Sequence, residues 1–230
     1  MTTPRPRIGV LRFPGACDDR DALWALAALD ADADFIWHTE EQLNVDALVL
    51  PGGFSYGDYL RCGAIARFAP AMEAVAEFAA RGGLVLGICN GFQILCEAGL
   101  LPGVLRRNES LSFVCRDVPL VVERTDTPFT VRCSEGELLT IPVKHGEGAW
   151  FADDALYAQV EANRQIVLRY AEPVNGSRND VAGVLNEQGN VLGLMPHPEH
   201  AVDPLLGSAD GALILSSFVE SARERVLAAV

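Results

Sequence analysis

The first half of the chain alternates short apolar, often β-branched runs with stretches of helical period. Ile8-Gly9-Val10-Leu11-Arg12-Phe13 reads as a buried strand. A helix over 18–29 follows, with Leu23, Leu26, Ala27 and Leu29 as its apolar stripe and Asp18 and Asp19 suiting its N-terminus. Asp34 to His38 and Ala47 to Leu50 read as the second and third strands. A helix over 64–80, closed by Arg81-Gly82-Gly83, leads to a fourth strand, Leu84 to Ile88. Strands alternating with helices predict a parallel sheet covered on both faces, with functional loops at the strands' C-terminal ends. Pro51-Gly52-Gly53 and Cys89 both fall at such ends.

The second half changes style. Ser112 to Glu123, Leu138 to Val143 and Ile166 to Tyr170 read as antiparallel strands. Val181 to Leu185 and Asn190 to Leu194 form a hairpin around Asn186-Glu187-Gln188-Gly189-Asn190, and a helix closes the chain over about 211–229. No repeat, low-complexity segment or Ser/Pro-rich linker interrupts the pattern. The expectation is an α/β flavodoxin-like three-layer sandwich, one domain over 1–230, with a mainly parallel central sheet and an antiparallel extension in the C-terminal half.

The fourth strand ends in chemistry. Gly87-Ile88-Cys89-Asn90-Gly91 joins a strand to a helix through a cysteine flanked two positions away by glycines, the pattern of a nucleophile elbow. The sharp turn leaves no room for side chains at Gly87 and Gly91. Cys89 sits at the first turn of a helix, where free N–H groups and the helix dipole favour a thiolate. The alternative is a small buried hydrophobe, as other cysteines are. A base is offered by Met195-Pro196-His197-Pro198-Glu199-His200, after the run Val191 to Leu194. His197 and Glu199, two apart at a strand end, can face one pocket, with the prolines limiting their freedom. His197 would take the thiol proton and Glu199 would orient the ring.

Composition narrows the class. The chain has 230 residues, half of them hydrophobic, enough for a substantial core. No apolar run approaches a membrane span, and the start lacks a signal-like apolar region, so a cytoplasmic location is expected. The net charge of −13 argues against nucleic acid, because phosphate contacts need a basic face; such a charge ordinarily serves solubility, and a basic docking face on a protein partner is the sharper alternative. Six cysteines without CxxC spacing indicate neither a disulfide framework nor zinc, and no metal is expected. No GxxxxGK[ST] loop is present to bind a nucleotide.

Gly87-x-Cys89-x-Gly91-x-Gln93 together with the late His197-x-Glu199 resembles the triad, or class I, glutamine amidotransferases. Within that family, Phe13-Pro14-Gly15, the loop from Pro51 to Gly63, the Asn90-Gly91-Phe92-Gln93 form of the elbow, His145-Gly146-Glu147-Gly148 and Asn175-Gly176-Ser177 resemble the glutaminase subunits of phosphoribosylformylglycinamidine synthases. The resemblance spans nearly the whole chain. It implies the same sandwich fold and a reaction in which glutamine supplies ammonia to convert formylglycinamide ribonucleotide to its amidine in purine synthesis. It implies Cys89, His197 and Glu199 as the catalytic triad. The oxyanion would meet the N–H groups of Asn90 and Gly53, and Gly52, Gln93, His145 and Gly146 would lie against the substrate. It implies no cofactor on this chain, ATP and magnesium on a large synthetase subunit, and a small bridging subunit beside it. Three positions depart from the family's usual residues: Cys17 and Asp18 stand where asparagine and cysteine are common, and His200 where arginine is. A triad glutaminase of another biosynthetic pathway, a stand-alone hydrolase of the same fold and a non-catalytic scaffold are the competing readings.

Overall fold

The structure is a computed structural model and describes residues 4–228. Five strands hydrogen-bond in parallel: β1 (Arg7–Arg12), β2 (Asp32–Trp37), β3 (Ala47–Leu50), β4 (Leu84–Ile88) and β11 (Val191–Leu194). Beyond β11 the sheet continues antiparallel through β10 (Val181–Leu185), β9 (Ile166–Tyr170), β6 (Val114–Val122) and β7 (Leu138–His145). The full order is β2-β1-β3-β4-β11-β10-β9-β6-β7. β5 (Val104–Arg106) and β8 (Ala149–Phe151), which the sequence pattern did not predict, pair as a separate two-stranded ribbon.

The strand order sets the layers. The step from β1 to β2 runs outward one way and the step from β3 to β4 the other. Right-handed crossovers therefore place α1 (Asp19–Ala28) and α2 (Pro70–Ala80) on opposite faces. The closing helix α5 (Gly211–Ala228) packs on α1, and α3 (Asn90–Glu97) packs on β3, β4 and β11. The central strands β3, β4, β10 and β11 are buried at every residue, as strands covered on both sides must be.

Three expectations change. The helix read over 64–80 is shorter: a single 3-10 turn, Ala66–Phe68, precedes α2, which starts at Pro70. Ala69 is extended (φ −64°, ψ 142°), because a residue before proline is pushed out of the helical region, while Pro70 itself fits a first helical position. A helix the pattern missed, α4 (Asp154–Ala162), is capped by the Asp153 carboxylate accepting from Leu156 N–H at 2.8 Å. β11 ends at Leu194, so His197 and Glu199 do not share a strand face; Pro198–His200 form a 3-10 turn instead. The closing helix was read to Ala229, which lies outside the described residues.

The hairpin before β11 is as read. Asn186 Oδ1 accepts from the N–H groups of Asn190 and Val191, both at 3.0 Å, and Gly189 takes φ +72°. Asn190 then ties the hairpin to the end of α2, donating from Nδ2 to the carbonyls of Ala79 (2.8 Å) and Gly83 (2.7 Å) while almost fully buried. Asn190→Ala removes both bonds and strands the Gly83 carbonyl, while Ala79 O keeps the Gly82 N–H at 2.9 Å. It should cost about 1–3 kcal/mol of unfolding free energy, read as a lower urea midpoint at unchanged slope.

Candidate active site

Three parallel strands end at the same edge and deliver the site. After β3 comes the Gly52-Gly53 loop, after β4 the elbow, and after β11 the 197–200 turn. Cys89 takes φ +51° and ψ −104°, a left-handed conformation that a side-chain-bearing residue adopts only when its surroundings enforce it. The enforcement is visible. Cys89 N–H donates to Leu194 O at 2.8 Å, and the helix beginning at Asn90 is pressed onto β3 at Gly91. Cys89 is 6% exposed, and its Sγ lies 3.8 Å from the carbonyl oxygen of Lys144. It forms part of the wall of a cavity of about 290 Å³, shared with Asp18, Gly53, Asp58, Gln93 and Glu147 among others.

His197 lies behind this wall and is wholly buried. Its backbone N–H donates to Pro142 O at 2.8 Å, which pins it to β7. Its Nδ1 meets Glu199 Oε1 at 2.6 Å, while Nε2 has no partner oxygen or nitrogen. Burial alone would lower the proton affinity of the ring. The Glu199 carboxylate and the adjoining Cys89 sulfur outweigh that effect and push its pKa up to about 10. A histidine held by a carboxylate on one nitrogen and free on the other, beside a thiol, can accept and return a proton.

The remaining predicted residues gather here with different degrees of freedom. Neither Gly53 N–H nor Asn90 N–H donates to a protein oxygen among the described residues, so both are free to meet a developing negative charge. Gly52 is required by contact rather than by φ: a Cβ there would lie 2.7 Å from His197 Cε1 and overlap the Asp18 carboxylate. Gln93 lines the cavity, but both ends of its amide are engaged, Oε1 by Asn90 Nδ2 at 2.9 Å and Nε2 by Glu147 O at 2.7 Å. His145 and Gly146 are in the wall too. His145 is pinned between Asn108 Oδ1 (3.0 Å from Nδ1) and Asn175 Nδ2 (3.4 Å from Nε2), so its ring holds the 145–148 loop in place. Burial, helped by the charge of His197, pushes its pKa down to about 4.

Several site residues escaped the sequence reading. Asp18 suits a helix start by pattern, yet its side chain makes no capping bond and turns into the site, 4% exposed. There it meets Lys144 Nζ, His200 Nε2 at 3.3 Å and His197 Nδ1 at 3.6 Å. Despite the cost of burial, the hydrogen bond from His200 and the charges of His197 and Lys144 hold its carboxyl well below the usual range. Asp18, His197, Glu199 and His200 bring one ligand-type atom each within 4.8 Å, a grouping no spacing in the sequence revealed. Its atoms already pair with one another and with Lys144, so it reads as an ion-pair network. Asp58 and Glu147 share the cavity wall. Burial, reinforced by these two carboxylates, pushes the Cys62 thiol far up, and burial does the same to Cys96. Both stay protonated at neutral pH, and none of the six cysteines is in a disulfide.

Residues 5–210 match the CobB/CobQ-like glutamine amidotransferase domain, and the chain belongs to that family. Among its relatives, the phosphoribosylformylglycinamidine synthase subunit PurQ of Salinibacter ruber is 56% identical over 225 residues, covering 93% of this chain and 95% of the relative. The subunit of the same name from Gloeobacter violaceus is 53% identical over 227 residues, covering 94% and 98%. A chain from the structure of PurLQS from Thermotoga maritima superposes with a TM-score of 0.88 at 46% identity, covering 94% of this chain and 99% of that one. A chain from Thermoplasma acidophilum, ascribed to a GMP synthase, superposes at TM-score 0.66 with 15% identity over 98% of both chains, a likeness of fold alone.

Two outcomes follow from this geometry. Gly52→Ala drives a methyl into His197 and Asp18 and should lower turnover about tenfold or more while the chain still melts cooperatively, checked by steady-state kinetics beside a thermal scan. The raised pKa of His197 sets a pH trend. Its stabilisation is complete below the unfolded value of about 6.5 and is lost as pH rises toward about 10. His145, held neutral in the fold, contributes the opposite trend below about pH 7. Urea unfolding from pH 7 to 8, below the range where buried thiols contribute, should therefore show falling stability, and His197→Asn should abolish that fall.

Proposed function

We propose that this chain is the glutaminase subunit of a phosphoribosylformylglycinamidine synthase, releasing ammonia from glutamine through a Cys89 thioester. The observation that carries the reading is the strained Cys89 at the head of α3, beside a His197 whose Nε2 is free and whose Nδ1 is held by Glu199. The two PurQ relatives and the PurLQS chain, each aligned over more than nine-tenths of this one, support the pathway.

Cys89 Sγ attacks the side-chain amide carbon of glutamine, and the carbonyl oxygen takes the negative charge. The N–H groups of Gly53 and Asn90 receive it. Losing one such donor typically costs about a hundred- to a thousand-fold in rate. His197 takes the thiol proton through Nε2 and delivers it to the leaving nitrogen, so ammonia departs and a glutamyl thioester remains. Water, deprotonated by the same ring, attacks the thioester; glutamate leaves and Cys89 recovers its proton. Glu199 orients the ring and stabilises its charged form. Gly146 shapes the wall against which glutamine lies, Gly52 leaves room beside it for His197 and Asp18, and Gln93 and His145 hold that wall in register.

The partner is a large synthetase subunit that consumes the ammonia and uses ATP and magnesium, with a small bridging subunit completing the assembly. No helix among the described residues is long and apolar enough to cross a membrane. Phe54 and Phe113 line the cavity while remaining about half exposed, an apolar rim suited to a protein contact at the cavity mouth.

The test is amidine formation from formylglycinamide ribonucleotide and ATP in the reconstituted enzyme. Cys89→Ala should reduce the glutamine-dependent rate by about a thousandfold or more and leave the ammonia-dependent rate intact. Unchanged glutamine-dependent turnover removes Cys89 from the chemistry. Loss of glutamine-dependent activity in a wild-type mixture that still uses ammonia points to a different synthetase partner.

A further inference from the structure

Asp18 and His200 meet in space. Asp18 Oδ1 lies 3.3 Å from His200 Nε2 although 182 residues separate them. The contact is one part of a clamp. Lys144 Nζ, from β7, binds the same oxygen, and the N–H groups of Cys17 and Asp18 both donate to Gly52 O at 3.2 Å. The carboxylate can neither swing to solvent nor cap α1. Its other oxygen, Oδ2, is left 3.6 Å from His197 Nδ1. Glu199 occupies that nitrogen directly at 2.6 Å, and His200 Nε2 bridges back to Glu199 Oε1 at 3.6 Å.

We propose that Asp18 is a positioning residue of the glutaminase reaction: a second carboxylate on the Nδ1 side of His197, clamped by Lys144 and His200, that keeps the imidazolium charged and oriented toward Cys89. The proposal rests on the triad reading given above. The charged and titratable groups around the ring are Glu199 and His200 from its own turn, Asp18 from the β1–α1 loop, Lys144 and His145 from β7 and Cys89 from the elbow. Only Asp18 and Glu199 among the acids lie on the Nδ1 side. When the thiol proton moves to His197, one positive charge appears in a fully buried ring. Two carboxylates already fixed in place meet that charge without reorganising. Lys144, bound to Asp18, offsets the repulsion between the two carboxylates, and His200 holds Asp18 Oδ1 in place.

The consequence is a titration that a merely structural residue would not move. The test uses the full chain with ¹³C-labelled histidine; its four histidines allow the His197 Cε1 signal to be assigned by substitution. Asp18→Asn should lower the His197 midpoint by about one pH unit or more, and should lower glutamine-dependent kcat in the assembled enzyme by about tenfold. The ammonia-dependent rate should stay within about threefold, and KM for glutamine should change less than kcat. His200→Gln keeps both carboxylates and should not move the midpoint downward. An unmoved His197 midpoint in Asp18→Asn overturns the proposal, as does a lowered midpoint with unchanged kcat. If Asp18→Asn does not fold, Asp18→Ser carries the same two readouts. Glutamine-dependent activity surviving in Cys89→Ala would instead defeat the triad reading itself, whatever the histidine signal does.

Discussion

Gly91 lies so close to β3 that a Cβ on it would overlap the carbonyl group of Leu50, and the rest of the site depends on that approach. Only a residue without a side chain lets the first turn of α3 sit on the sheet this tightly. The chain then has one residue in which to turn from strand to helix, and that residue is Cys89, at φ +51°. Strain at Cys89 is tolerated because it is enclosed: β4 before it is buried at every residue, and its N–H is bonded to Leu194. The outcome is a sulfur lifted off the sheet edge, in reach of groups from β7 and the 197–200 turn, with unpaired N–H groups beside it.

The parallel half of the sheet and its antiparallel extension contribute differently. The parallel strands β3, β4 and β11 bring three loops to one edge, as this topology always does. The extension supplies walls and anchors. β7 carries Pro142, which fixes the His197 backbone, Lys144, which holds Asp18, and His145, which begins the loop closing the cavity. His145 is itself trapped between Asn108 and Asn175, residues from two other loops. A buried, fully paired polar network of this kind is stiff, since any displacement leaves a polar atom unsatisfied.

The electrostatics follow one pattern. Cations and anions around Cys89, His197 and Glu199 are matched locally, so that two histidines a few ångströms apart are driven to opposite states. His197 is pushed toward its charged form by carboxylates and sulfur, while His145 nearby is pushed toward neutrality by burial and by His197 itself. The thiols of Cys62 and Cys96 are raised by burial, which keeps them protonated and inert at neutral pH.

The sequence by itself determined the alternation of strands and helices, the hairpin at Asn186–Asn190, the elbow around Cys89 and the pairing of His197 with Glu199. Each of these rests on local rules: apolar period, turn residues, or a glycine at a position where only glycine fits. Local rules failed where two segments compete. The helix read through 64–80 is broken at Ala69 because Pro70 forbids a helical residue before it, and α4 was hidden because its apolar stripe is too short to stand out. His197 and Glu199 meet through a 3-10 turn rather than a strand face, a difference that spacing alone cannot reveal. Tertiary structure alone decided what surrounds Cys89, His197 and Glu199. Asp18 looks like a helix-capping acid until Lys144 and His200, more than 120 residues away in sequence, are folded against it. Charge interactions depend on distance in space and on burial, and neither is written in the order of the residues.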